Sequence, residues 1–180
     1  MPQTEELRRT SPDVFLRLIE RSRRGKLKIY IGHAAGVGKT YQMLEDAHTL
    51  KKQGVDIVAG LIETHGRSDT AERIAGLEVI PRRVVAYKGR TIEEMDLPAI
   101  LARRPEVVIV DELAHTNVPG TENRKRYDDV EDLLDAGISV MTAVNIQHFE
   151  SVQDIVSRVT GVRAEGVVAV VERGQEVRHH

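Results

Sequence analysis

The 180-residue chain has no cysteine, which excludes disulfides, zinc–thiolate sites and thiol nucleophiles. It also lacks a surplus of charge of either sign: 26 Lys and Arg stand against 28 Asp and Glu, a formal net charge of -2. A general nucleic-acid binder carries a clear basic excess, so no nucleic-acid partner is expected. No apolar run approaches the roughly 18 residues a membrane helix needs. The first ten residues, Met1–Thr10, are polar and lack the apolar stretch of a signal peptide. The expectation is a soluble chain with no membrane insertion of its own, compatible with a reducing cytosol. Internal repeats and low-complexity tracts are absent.

What is present is the material for one core. At 41% apolar residues, a chain of this size buries roughly two-thirds of its unfolded surface. The apolar pattern alternates between short strand-like runs and longer helical ones. Ser11-Pro12-Asp13 reads as a cap and first turn of a helix carrying Val14, Phe15, Leu18 and Ile19 on one face. Its basic end, Arg21, Arg23, Arg24, Lys26 and Lys28, is either solvated or a patch for acidic lipid or a partner. Strands are expected over Leu27–Ile31, Val55–Ile62, Arg83–Tyr87, Glu106–Asp111, Ile138–Val144 and Val167–Val171, the last at an edge. Helices are expected over Lys39–Lys52, about Ser68–Ala75, Tyr127–Asp135 and Phe149–Val159. Another is expected from a Thr91 cap with Glu93 and Glu94 in its first turn, with Pro98 interrupting it or starting a new one and Pro105 ending it. Val107-Val108-Ile109-Val110 is apolar without alternation, as in a central parallel strand covered on both faces. The sum predicts an α/β fold: a doubly wound, mainly parallel sheet of P-loop NTPase type with helices on both faces.

The chemistry concentrates in Gly32-His33-Ala34-Ala35-Gly36-Val37-Gly38-Lys39-Thr40, between a strand and a helix. Phosphates need many convergent donors and little steric bulk, which a glycine-rich turn supplies through successive backbone N–H groups. The helix that follows adds its positive end. Lys39 can reach β- and γ-phosphates, and the Thr40 hydroxyl can hold Mg²⁺. The usual pattern has Gly six places before the Lys; here His33 stands there, and Gly32 comes one place early. A dinucleotide loop fits poorly, because Gly36-Val37-Gly38 leads into Lys39, Thr40 and Tyr41 with no third Gly. A second signal agrees with the first: the strand Val107–Val110 ends in Asp111 and Glu112. Asp111 is placed to hold Mg²⁺, and Glu112 to act as a catalytic base orienting a water. ATP and Mg²⁺ are the expected cofactors, bound by Gly36, Val37, Gly38, Lys39, Thr40, Tyr41 and Asp111.

Around these, Glu63, Thr64, His65 and Arg67 follow the second strand, and His115, Thr116 and Asn117 follow Asp111, on one rim. Arg67, His115 and Thr116 join the expected cofactor-binding set, and one of His115, Thr116 and Asn117 is a candidate γ-phosphate sensor. His33 either touches phosphate or faces solvent. The alternative for His65, His115 and His148 is a hydrogen bond to loop backbone. Arg124, Lys125 and Arg126 either supply a cation to a triphosphate or form a solvated loop; Arg67 and Arg90 are similar candidates.

The run Asp111-Glu112-Leu113-Ala114-His115-Thr116-Asn117-Val118-Pro119-Gly120 resembles the N-terminal domain of the KdpD family of potassium-responsive sensor histidine kinases. The likeness continues in Glu63-Thr64-His65-Gly66-Arg67, Tyr87-Lys88-Gly89-Arg90, Leu101–Pro105, Lys125–Glu131 and Asn145–Ser151, from about Leu27 to Arg163. The family's phosphate loop shows the same shifted glycine. After Arg163 the chain departs from the family's usual continuation. The resemblance implies a cytoplasmic ATP-binding input domain that modulates the kinase/phosphatase balance of a two-component sensor, at the inner face of the plasma membrane in a full-length protein. Its implied partners are ATP or ADP, the rest of a sensor histidine kinase or its response regulator, and a second copy as homodimer. No kinase catalytic motif is present, so the chain is read as a fragment or a short stand-alone form that does not autophosphorylate. The organisation expected is an N-terminal helix and basic connector over 1–26, a nucleotide-binding domain over 27–163, and an edge strand with polar tail over 164–180. An ATPase or small-molecule kinase is the competing function.

Overall fold

A computed structural model describes residues 12–21, 24–32, 37–64, 68–145, 157 and 167–171. In chain order the elements are α1 (Pro12–Arg21), β1 (Leu27–Gly32), α2 (Val37–Lys52), β2 (Ile57–Leu61), α3 (Ser68–Ile74) and β3 (Glu78–Val79). They continue with β4 (Arg83–Tyr87), β5 (Arg90–Glu94), α4 (Leu97–Arg103), β6 (Val107–Val110), α5 (Arg126–Asp135), β7 (Ser139–Asn145) and β8 (Val167–Val171). Six strands form one sheet in the order β3-β2-β6-β7-β1-β8, parallel at every pairing.

Period-two alternation sorts each strand's side chains to opposite faces. In β6, Val107 and Ile109 pack with Phe15 of α1 and Met43, Leu44, Ala47 and Leu50 of α2. Val108 and Val110 pack with Ile100 of α4 and Val130 and Leu133 of α5. Both faces are covered, so the unbroken apolarity of this strand has its explanation. The chain winds outward in both directions. From β1 it passes through α2 to β2 on one side, while β8, next after β7, lies beyond β1 on the other. Such a reversal opens a crevice at the carboxyl ends of β1 and β7.

Of the two expectations for Pro98 the second holds, that it starts a new helix, and the segment from Thr91 that was to precede it is the second strand of a hairpin. Arg83–Tyr87 and Arg90–Glu94 pair antiparallel as a separate two-stranded ribbon, with Tyr87 opposite Arg90. Lys88 (φ 50) and Gly89 (φ 72) both occupy the left-handed region, as a two-residue hairpin turn requires. Thr91 therefore lies in a strand, as do Glu93 and Glu94. The helix starts at Leu97 with Pro98 in its first turn, and its N-cap Asp96 accepts from the Ala99 N–H at 3.0 Å. Turn geometry, with both central residues at positive φ, outweighed the acidic-first-turn pattern. The expected helix over 149–159 lies outside the described residues, apart from Ser157, which is helical.

Candidate functional site

The strands' parallel arrangement sends the carboxyl ends of β1, β2, β6 and β7 to one edge. Gly32, the last residue of β1, stands level with Asn145, the last of β7. The glycine-rich connection leaves β1 here and returns as α2, whose first turn carries Gly38, Lys39 and Thr40. Gly38 is exposed and Thr40 half-buried, whereas Lys39 is only 6% exposed. The Lys39 ammonium donates to the Asn145 side-chain oxygen, so the cation is held over the β1–β7 crevice. Asn145 was not singled out as a site residue in the sequence; nothing in its local pattern reveals that β7 ends beside β1.

Asp111 follows β6, which β7 separates from β1. Two strand spacings put β6 and β1 about 9.5 Å apart. The Asp111 carboxylate is 5% exposed and accepts the N–H of Glu63 at 3.2 Å and of Glu112 at 2.9 Å. Burial pushes its pKa up; the two N–H donors oppose that rise, the neighbouring Glu112 charge adds to it, and Lys39 pulls down. Lys39 and Asp111 thus feel each other electrostatically across the edge. A buried carboxylate whose ionised form remains disfavoured suits a hard divalent cation, which binds oxygen ligands and compensates the charge. Among the described residues, Thr40 and Asp111 have the oxygen donors that fit such an ion.

Glu112 is half-buried and sits at φ 53, an uncommon region for a residue with a Cβ, worth of order 1–3 kcal/mol of backbone strain. The turn is over-determined on both sides. Asp111 N–H donates to Leu61 O at 2.9 Å and Leu113 N–H to Ala143 O at 3.0 Å, so the ladder resumes either side of Glu112. Arg126, at the start of α5, donates through Nη1 to the carbonyl oxygens of Asp111 and Glu112, each at 3.2 Å.

Several expectations resolve at this rim. Arg126 is 2% exposed and pairs with Glu94, itself 3% exposed, at 3.5 Å. It is a buried structural cation, not a solvated one and not one free to reach a triphosphate. Burial lowers its pKa while Glu94 first and Glu112 next oppose. His115 turns its Nε2 to Glu94 Oε1 at 3.0 Å, where the Val118 N–H also donates at 3.0 Å. Thr116 is exposed and its hydroxyl accepts from Lys125. Arg124 and Arg90 are exposed. Tyr41, expected in the cofactor-binding set, is 36% exposed, with the Arg73 guanidinium 4.4 Å over its ring and donating to its hydroxyl. His33, Gly36, His65, Arg67 and His148 lie outside the described residues, as does the side chain of Val37. In the sequence Glu94 resembles a helix first-turn acid; only the fold makes it the anchor of the loop beyond Asp111.

The family model described as KdpD, osmosensitive K+ channel His kinase sensor domain, matches residues 23–179. The chain belongs to the KdpD sensor-domain family. Similar proteins include the sensor protein KdpD of Escherichia coli, 52% identical over 160 residues, which are 89% of this chain and 18% of that protein. A putative sensor protein KdpD of Synechocystis sp. is 57% identical over 140 residues, 78% of this chain and 38% of that protein. The Mycobacterium tuberculosis sensor protein KdpD is 53% identical over 141 residues, 78% of this chain and 16% of that protein. The chain thus spans well under half the length of these KdpD relatives. The KdpD match runs on to residue 179, so the departure expected after Arg163 does not hold. No helix among the described residues is long and apolar enough to cross a membrane.

Proposed function

We propose that this KdpD sensor domain is of P-loop NTPase type and binds ATP with Mg²⁺. It acts as a regulatory input to the kinase/phosphatase balance of a potassium-responsive sensor kinase. One observation carries the reading. Lys39 is a nearly buried ammonium held by Asn145 at the reversal point of a parallel sheet, at the start of a helix, within electrostatic reach of Asp111. The Gly36–Gly38 amides and Lys39 would hold the phosphates, and Thr40 and Asp111 the Mg²⁺, which neutralises phosphate charge when bound. Tyr41, His115, Thr116 and Arg67 complete the proposed contact set. The partners proposed are the remainder of the sensor or its response regulator, and a second copy of the chain. In a full-length sensor the domain would sit at the cytoplasmic face of the plasma membrane.

Titration calorimetry of the chain with ATP, ADP and GTP, with and without Mg²⁺, tests this. Mg²⁺-dependent heat with ATP is expected, and Lys39→Ala should weaken it by roughly ten- to a hundredfold, the worth of a charge-assisted contact. Absence of binding, or full binding by Lys39→Ala, rejects the proposal. A second reading, turnover by an ATPase or small-molecule kinase, is favoured by one feature: Glu112 is held at φ 53 directly beside Asp111. Phosphate release abolished by Glu112→Gln would raise it above simple binding. Failure to detect release from the wild-type chain would remove it.

A further inference from the structure

Arg126 lies 15 residues beyond Asp111 and, among the described residues, reaches the Asp111–Glu112 turn through backbone carbonyls. Its Nη1 holds the carbonyl oxygens of Asp111 and Glu112 at 3.2 Å, and its Nη2 lies 3.5 Å from Glu94 Oε2. The peptide joining Asp111 to Glu112 is a rigid plane, so fixing its carbonyl also fixes its N–H. That N–H is the donor to Asp111 Oδ1 at 2.9 Å. The orientation of one peptide therefore links the guanidinium to the position of the Asp111 carboxylate. Glu94 in turn is immobilised by His115 and the Val118 N–H, each at 3.0 Å.

As a stability device this pair is poor. Its contact is long for a charge-assisted bond, and the buried Arg126 Nε has no hydrogen-bond partner among the described residues. Nη1 holds both carbonyls while Nη2 faces Glu94, so one rigid guanidinium plane ties the turn to its brace; a lysine ammonium is a point charge that does not span both. We propose that Arg126, braced by Glu94, is a positioning residue that sets the Asp111–Glu112 turn for a divalent cation bound with phosphate. The proposal rests on the Mg-nucleotide reading above and assigns to Arg126 the magnesium-dependent part of affinity alone.

The test is calorimetry of the full chain with ATP in Mg²⁺ and again in EDTA, for wild type, Lys39→Ala, Arg126→Lys and Glu94→Asp. Arg126→Lys should lose about tenfold or more of the affinity gained from Mg²⁺, while its affinity in EDTA stays within about twofold of wild type. Glu94→Asp, whose carboxylate is drawn back by one carbon, should show the same selective loss to a smaller degree. Lys39→Ala should lower affinity in both media. Retention of the full Mg²⁺ gain by Arg126→Lys, or an equal loss in Mg²⁺ and EDTA, overturns the positioning role. If Arg126→Lys does not fold, Glu94→Asp decides by the same criteria. Failure of both to fold makes Arg126 structural and also overturns it. A wild type that ignores ATP removes the nucleotide reading and this inference together; normal Lys39→Ala behaviour with an unaffected Arg126→Lys removes only the inference.

Discussion

Lys28, the second residue of β1, has no solvent exposure, a cation inside the sheet that carries the phosphate loop. Its Nζ lies 3.1 Å from Asp46 Oδ2 on α2, and 5.7 Å and 5.2 Å from the ring centroids of Phe15 and Tyr30. Replacing Lys28 with Met keeps the stem's volume and removes the charge. At an effective dielectric of about 20, the pair's attraction is about 5 kcal/mol, from which desolvation of two ions subtracts several. Removing one partner of a buried pair typically costs about 3–5 kcal/mol, because the other is stranded. Asp46 keeps the Tyr30 hydroxyl and Gln42 Nε2, the latter at 3.0 Å, so the low end applies. About 3 kcal/mol in a chain of this size corresponds to a melting point lower by roughly 6–12 °C. Lys28→Met/Asp46→Asn, in which Asn still accepts from the Tyr30 hydroxyl, should recover most of that loss. Urea and thermal unfolding followed by circular dichroism measure both.

A single mutant within about 1 kcal/mol of wild type, or a double mutant as unstable as the single, would refute the ion-pair account.

Two further perturbations are independent of it. Glu122 is held by Arg83, Nη1 to Oε1 at 2.8 Å, which brings its pKa down from 4.5 to about 2. The contribution is present above pH 4.5 and lost as pH falls toward about 2; with Glu122 44% exposed, screening limits it to about 1 kcal/mol or less. Glu122→Gln should flatten the acid limb of the stability curve by that amount, which acid titration of the unfolding midpoint reads directly. At Glu112, φ 53 strains any residue with a Cβ, so Glu112→Gly should melt about 2–4 °C above Glu112→Ala, for about 1 kcal/mol of relief. Equal melting points for the two variants would show that the turn is not strained.

Much of this molecule could be read from local pattern, because its periodicities are strong and its punctuation is chemical. The parallel sheet, the continuous apolarity of Val107–Val110 and the Lys39 and Asp111 candidates all follow from short-range sequence. Each depends on side-chain period or on the needs of one ligand type. The hairpin at Lys88–Gly89 was missed because a lysine at positive φ carries no local warning and the acids of Thr91–Glu94 imitate a helix start. Tertiary structure alone decided the partners. Asn145 reaches Lys39 because β7 is inserted between β1 and β6; Glu94 and Arg126, 32 residues apart by their numbers, meet because α5 folds back against the end of β5. Sequence specifies what a residue can do chemically. Which groups it meets depends on strand order and on the burial that makes an unpaired charge expensive, and neither is encoded within a single segment.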